Sequence, residues 1–307
     1  MTDGKIERFG REALSKSNPS GVVTRFGREA LSSGPTSVEV GVSRFGREVL
    51  VKPSYDGVVE RFGRSTYTIV AATGPDAAVH LALREPNGLV AAGRDLSADR
   101  LLEAYRGGLF PWYSEGQPVL WYCTHPRMVL RPTEFVLHDN LRKRIRRLLR
   151  DDRLQVRFDD DFKQVIEHCA RSPREGQGGT WIVPQMIKAY TALHRMGHAH
   201  AVTAWVDGQL AGGLYGVMIG RMLYGESMFT LSPDGSKIAL AALVAWARHH
   251  EVPMIDCQQE TRHLHFMGAR AMARDDFLQE LATLVKMPAP EWTFAPSFWQ
   301  KLWPETT

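Results

Sequence analysis

The stretch HAVTAWVDGQLAGGLYGVMIGRMLYGESMF, residues His200–Phe229, decides the fold. It holds three strand-like runs, divided at Asp207–Gly208 and at Gly220–Arg221. Asp-Gly between apolar runs is a strong signal for a tight hairpin, because both turn residues tolerate the positive φ that such turns require. The helical phrase DGSKIALAALVAWARHH (Asp234–His250) follows, and then VPMIDCQ (Val252–Gln258), a short apolar run that reads as a buried strand. An antiparallel meander, a helix and a returning strand make an α+β pattern.

Upstream, DLSADRLLEAYRGG (Asp95–Gly108) predicts a helix with Ser97 as N-cap and Gly107 as stop. LRKRIRRLLR (Leu141–Arg150) predicts an amphipathic helix, with Leu141, Ile145, Leu148 and Leu149 on one face and six basic side chains over the rest. A further helix starts near Pro184 and ends at Gly197. The Pro- and Trp-rich tail after Met287 is expected to pack over the fold.

The first 68 or so residues have a different texture. RFGREAL stands at Arg8–Leu14 and again at Arg25–Leu31, RFGREVL at Arg44–Leu50, and RFGR at Arg61–Arg64. Each copy offers little apolar surface to set against the entropy of ordering it. This predicts a mostly disordered extension of tandem short motifs over residues 1–68. A small N-terminal α/β domain is expected over 69–150 and the main domain with its tail over 151–307.

The 307 residues, 44% apolar, suffice for a substantial core. Three cysteines (Cys123, Cys169, Cys257) form no spaced framework, which points to a reduced, cytoplasmic setting. No apolar run approaches the roughly 18–20 residues needed to cross a bilayer. The net charge of +4 permits a polyanion partner without requiring one. There is no HExxH, paired CxxC, Walker loop, GxGxxG or Gly-x-Ser-x-Gly, so metal, ATP and covalent-nucleophile chemistry have no sequence support.

Three polar residues stand out in apolar strands: Glu226 in YGESMF, and Asp256 and Gln258 in MIDCQ. Strand spacing predicts that Asp256 and Gln258 share a sheet face. A carboxylate in such a place is either a structural anchor or a site residue. The aromatic run LFPWYSEGQPVLWYCTHPR (Leu109–Arg127), with Trp112 in it, reads either as a lid on the core or as a platform for a nucleobase, and Trp181 in GTWI invites the same two readings. The basic helix is either a solvated face or a contact to a phosphate backbone.

Several long phrases together, LREPNGLVAAGRDLSADRLLEAYRGGLFPWYSEGQPVLWYCTHPRMVL, GTWI, GLYGVMIGRMLYGESMF and IDCQ followed by HLHFMGA, resemble the leucyl/phenylalanyl-tRNA–protein transferase family over about Leu81 to Leu284. The resemblance implies a GNAT-like acyltransferase domain behind a small N-terminal domain. It implies transfer of Leu, Phe or Met from aminoacyl-tRNA to proteins with N-terminal Arg or Lys, a degradation tag of the N-end rule, without ATP, metal or other cofactor. Carried over by motif, Trp112 and Trp181 would hold the terminal adenosine and the aminoacyl group. Glu226 would bind substrate polar groups, and Asp256 and Gln258 would position and polarise the attacking amine. Leu214, Met228, Leu240, Leu243 and Ile255 would line the apolar pocket. The basic side chains Arg142, Lys143, Arg144, Arg146 and Arg147 remain the candidates for the tRNA backbone. The sequence departs from the family's usual pattern at Arg94, at YCTHP and at TLSPDGSK.

The chemistry agrees with this implication. Aminolysis of an ester needs a neutral amine, and a free α-amine has a pKa of about 7.7–8.0. Orientation in a dry site can therefore supply much of the rate, since effective molarities can be worth ~7–11 kcal/mol. The rival readings are an acyl-CoA-dependent GNAT N-acyltransferase, a transferase acting on its own repeat peptides, and a non-catalytic tRNA- or peptide-binding module. A monomer that meets no membrane is expected.

Overall fold

The computed structural model describes Val79, residues 82–84, 86–172 and 180–303, and the backbone path of five strands between 22 and 70. Those strands are β1 (Val22–Arg25), β2 (Gly41–Ser43), β3 (Glu48–Val51), β4 (Gly57–Phe62) and β5 (Ser65–Val70). The first three form an antiparallel sheet in the order β1-β3-β2, and β4 pairs with β5. The expected disorder of residues 1–68 otherwise falls outside the described residues.

The chain divides into two compact units, Met1–Asp95 with Gly107–Cys123, and Leu96–Arg106 with Thr124–Thr307. In the first, β6 (Leu89–Gly93), β7 (Phe110–Pro111) and β8 (Val119–Tyr122) form an antiparallel sheet in the order β6-β8-β7. Leu89, Val90, Phe110, Val119, Trp121 and Tyr122 are buried in it.

The second unit begins with α1 (Ala98–Arg106), the helix expected after Ser97, whose Oγ accepts from the Arg100 amide at 3.3 Å. There follow β9 (Arg127–Leu130), α2 (Asp139–Arg150), β10 (Leu154–Phe158), α3 (Phe162–Arg171) and α4 (Pro184–Arg195). The meander is β11 (Ala199–Val206), β12 (Gln209–Ile219) and β13 (Met222–Thr230), each joined to the next by a two-residue turn at the expected place. Asp207 and Gly208 both take positive φ, 55° and 75°, as a primed turn requires. Then come α5 (Gly235–His249), β14 (Met254–Gln258), α6 (Arg262–Phe266), β15 (Arg270–Met272) and α7 (Arg274–Leu284). The seven strands run in the order β10-β11-β12-β13-β14-β9-β15. Only β13 and β14 pair in parallel, with α5 as the crossover between them. The α+β class stands.

β9 lies inside this sheet, and α2 adds Leu141, Ile145 and Leu148 to its core. Both therefore belong with the larger unit, and no boundary falls at residue 150. α5 is apolar nearly all round, as a fully buried helix must be, with Ile238 to Ala247 enclosed. The tail covers it: Trp299 and Leu302 join the core, and the Trp292 ring lies tilted against Trp246 with centroids 4.4 Å apart. The N-terminus of α5 meets the β12 backbone directly. A methyl on Gly212 would lie 2.6 Å from the Gly235 carbonyl carbon, so only glycine allows the approach.

Candidate active site

Two bulges shape the centre of the sheet. Between β12 and β13 the register passes from Tyr215↔Ser227 to Gly216↔Gly225, so Glu226 is the extra residue of a bulge. Between β14 and β9 it passes from Asp256↔Val129 to Gln258↔Met128, so Cys257 is extra there. A bulge re-aims the side chains beside it. Beside it Asp256 and Gln258 face adjacent residues of β9. Ile255 and Cys257 pack against the core cluster, while Asp256 and Gln258 both bear on Glu226, on the shared face that strand spacing predicts.

Each of these polar residues has its own partners. The Tyr105 hydroxyl on α1 donates to Glu226 Oε1 at 2.7 Å, and the Tyr190 hydroxyl on α4 donates to Oε2 at 3.2 Å. The two hydroxyls lie 2.5 Å apart. Gln258 Nε2 donates to Glu226 Oε1 at 3.1 Å. With its nitrogen turned to the carboxylate, the amide keeps its carbonyl oxygen as an acceptor. Burial pushes the Glu226 carboxyl up to about 7, against the hydrogen bonds from both tyrosines, which pull it down. The same burial, with Glu226 next to them, holds both tyrosine hydroxyls well above their usual range.

Asp256 is wholly enclosed and faces Arg127, which is wholly enclosed too. Arg127 Nε donates to Oδ1 at 2.8 Å and Nη2 to Oδ2 at 2.6 Å, a two-pronged pair. Oδ1 also accepts the Gln258 backbone N–H at 2.9 Å. The Gln258 carbonyl accepts from Thr124 Oγ1 at 2.9 Å, and Gln258 itself takes φ 58°. A non-glycine residue in the left-handed region, fixed at both backbone groups, is typical of a strained functional position.

The other expected residues fall as follows. Leu214, Leu240, Leu243 and Ile255 are buried in one core cluster, and Met228, the cross-strand partner of Leu214, packs against it. Trp181 is half-buried just ahead of α4. Trp112 belongs to the smaller unit, where its ring meets Tyr122 edge-on at 5.5 Å. On α2 the cations have partners beyond the basic segment. Arg142 bonds Asp139, Arg144 lies 3.9 Å from Asp234, and Arg146 lies over the Trp303 ring at 4.8 Å. Lys143 and Arg147 are exposed. Sequence reading missed Tyr105, Tyr190 and Arg127. Tyr105 lies on the buried face of α1 with Leu101, Leu102 and Ala104, and only its hydroxyl, aimed at a distant strand, sets it apart.

Among the described residues no three His, Cys, Asp or Glu side chains converge as a metal would require. No described helix is long and apolar enough to cross a membrane. A carboxylate, two hydroxyls and an amide are thus gathered at the middle of the sheet. Residues 129–282 match the family profile described as leucyl/phenylalanyl-tRNA protein transferase, and residues 94–125 match its N-terminal domain. A Leptothrix cholodnii protein named leucyl/phenylalanyl-tRNA–protein transferase is 55% identical over 232 residues, 75% of this chain and 88% of that one. One of the same name from Cupriavidus pinatubonensis is 57% identical over 210 residues, 68% and 84% of the two chains. The chain belongs to the leucyl/phenylalanyl-tRNA–protein transferase family, and it is an aminoacyltransferase. Among solved structures, an aminoglycoside acetyltransferase from a soil metagenome aligns at 14% identity over 47% of this chain and 95% of its own, with a TM-score of 0.28, too slight a likeness to bear on the argument.

Proposed function

We propose that this protein transfers Leu, Phe or Met from aminoacyl-tRNA to the α-amino group of proteins that begin with Arg or Lys, forming a peptide bond. The reading rests on one observation above all: in a member of this family, Glu226, Gln258, Tyr105 and Tyr190 meet in a single hydrogen-bonded knot. The neutral acceptor amine attacks the ester carbonyl carbon. The C–N bond forms, the ester C–O bond breaks, and the amine's proton passes to the departing ribose oxygen. The Gln258 carbonyl oxygen accepts a hydrogen bond from the amine and aligns it. Glu226, as the carboxylate, holds the donor's own amino group. Asp256, fully engaged with Arg127 and the Gln258 N–H, acts by holding Gln258 in place. Leu214, Met228, Leu240, Leu243 and Ile255 supply the apolar wall for the donor side chain, where Met228 adapts to different shapes. Trp112 and Trp181 hold the terminal adenosine and the aminoacyl group by stacking. Arg142, Lys143, Arg144, Arg146 and Arg147 meet the tRNA backbone. The protein works in the cytoplasm, where charged tRNA is found.

The acyl-CoA reading fits less well. It requires a glycine-rich loop before a helix, whereas Gly235, at the head of α5, is packed against the Ala211 carbonyl.

The test is transfer of radiolabelled Leu from Leu-tRNA to a peptide beginning with Arg, retained on filters. Label in the peptide, lost in Gln258→Ala while tRNA binding persists, supports catalysis over mere binding. A well-folded protein that moves no label refutes the proposal.

A further inference from the structure

We propose that Arg127 is a positioning residue of the transfer reaction, which pins Asp256 so that the end of β14 presents the Gln258 amide to Glu226. The inference rests on the function proposed above. Arg127 rises from β9 with no exposed surface, closes a two-pronged pair on Asp256, and lies over the Phe277 ring of α7 at 4.5 Å. A buried ion pair is weak evidence of a stability role, because apolar residues of similar size often serve as well. What this pair does locally is specific. It fixes the oxygen that takes the Gln258 N–H, and so maintains the left-handed turn from which the side chain reaches Glu226. Arg127 is rigid where a lysine is not, since its planar fork engages both carboxylate oxygens at once.

The pair also acts at a distance on Glu226. The charged and titratable groups around that carboxyl are Tyr105 on α1, Tyr190 on α4, Tyr224 on β13, Asp256 on β14 and Arg127 on β9. Arg106 bears on Tyr224. Asp256 raises the Glu226 carboxyl and Arg127 lowers it, so together they offset one another. Removing either charge alone exposes the other.

The experiment measures kcat, KM and the pH profile of Leu transfer for the full chain and for Arg127→Lys, Arg127→Met and Asp256→Asn. Circular dichroism is used to count folded molecules. Arg127→Lys keeps the charge and loses the fork. It should lower kcat at least tenfold, leave both KM values within threefold, and leave the acid-side midpoint of kcat in place. Asp256→Asn keeps an acceptor for the Gln258 N–H and unmasks a cation, so its midpoint should move down. Arg127→Met unmasks an anion, so its midpoint should move up. A purely structural pair would not give opposite shifts. The inference is overturned if Arg127→Lys keeps full kcat per folded molecule, if the folded charge variants leave the midpoint unchanged or move it in the same direction, or if none of the three folds. Should Arg127→Met alone fail to fold, Arg127→Lys and Asp256→Asn decide. Wild-type protein that transfers no Leu would instead refute the underlying function.

Discussion

The Gln258 side chain donates to Glu226 across 3.1 Å, linking two strands at the point where each is interrupted by a bulge. Glu226 is itself the inserted residue of one bulge, and Gln258 directly follows the inserted Cys257 of the other. The consequences can be measured one residue at a time.

Glu226 makes the fold's stability depend on pH. Its folded pKa is raised from 4.5 to about 7, so the native state binds the proton more tightly than the unfolded chain. Stability from this group is therefore full below 4.5, declines as pH rises to 7, and is lowest above 7. At 1.36 kcal/mol per unit the decline is at most about 3.4 kcal/mol, an upper bound because the residue keeps some solvent contact. Urea unfolding at pH 5 and pH 8 should show this loss in the wild type and its absence in Glu226→Gln.

Tyr105→Phe and Tyr190→Phe each remove a donor from that carboxylate. A hydrogen bond to a charged group contributes ~1.5–3 kcal/mol. The hydrogen bonds lower the Glu226 pKa, so their loss should raise it above about 7. Destabilisation should thus be larger at pH 8, where the carboxylate needs its donors, than at pH 5, where it carries its own proton. Equal loss at both pH values would mean that the hydroxyls serve packing alone.

These pairings explain what could and could not be read from the chain. The meander was legible because Asp207–Gly208 and Gly220–Arg221 cut three apolar runs at fixed places, and α5 because Ile238 to Ala247 is apolar throughout. Glu226, Asp256 and Gln258 were legible as polar residues in apolar strands. The bulges were not, since nothing in YGESMF or MIDCQ marks which residue is extra; that is settled by the partner strand. Tyr105 and Tyr190 lie 85 positions apart and meet only through tertiary packing. Arg127 sat at the end of an aromatic phrase and carried no sign of the buried Asp256 opposite it.

On α2, the exposed Lys143 and Arg147 should carry more of any tRNA contact than Arg142 and Arg144, whose charges already face Asp139 and Asp234. Each phosphate contact removed reduces the slope of log affinity against log salt by roughly 0.7–0.9. Lys143→Ala with Arg147→Ala should therefore flatten the slope by about 1.5, measured by filter binding of Leu-tRNA between about 50 and about 200 mM salt. An unchanged slope would remove α2 from the interface.

Gln258 offers a direct test of strain held for function. In the left-handed region a non-glycine residue costs roughly 1–2 kcal/mol, which glycine avoids. Gln258→Ala keeps that cost and loses the amide, whereas Gln258→Gly loses both. The glycine variant should therefore be more stable than the alanine variant by about 1 kcal/mol in urea unfolding. Both should transfer Leu at least ~100-fold more slowly than the wild type, the scale expected when a group that orients the reacting atoms is deleted. If the glycine variant were no more stable than the alanine variant, the turn at φ 58° would carry no strain. If either retained wild-type transfer, the amide would have no part in aligning the amine, and the hydrogen bond to Glu226 would be an element of the fold only.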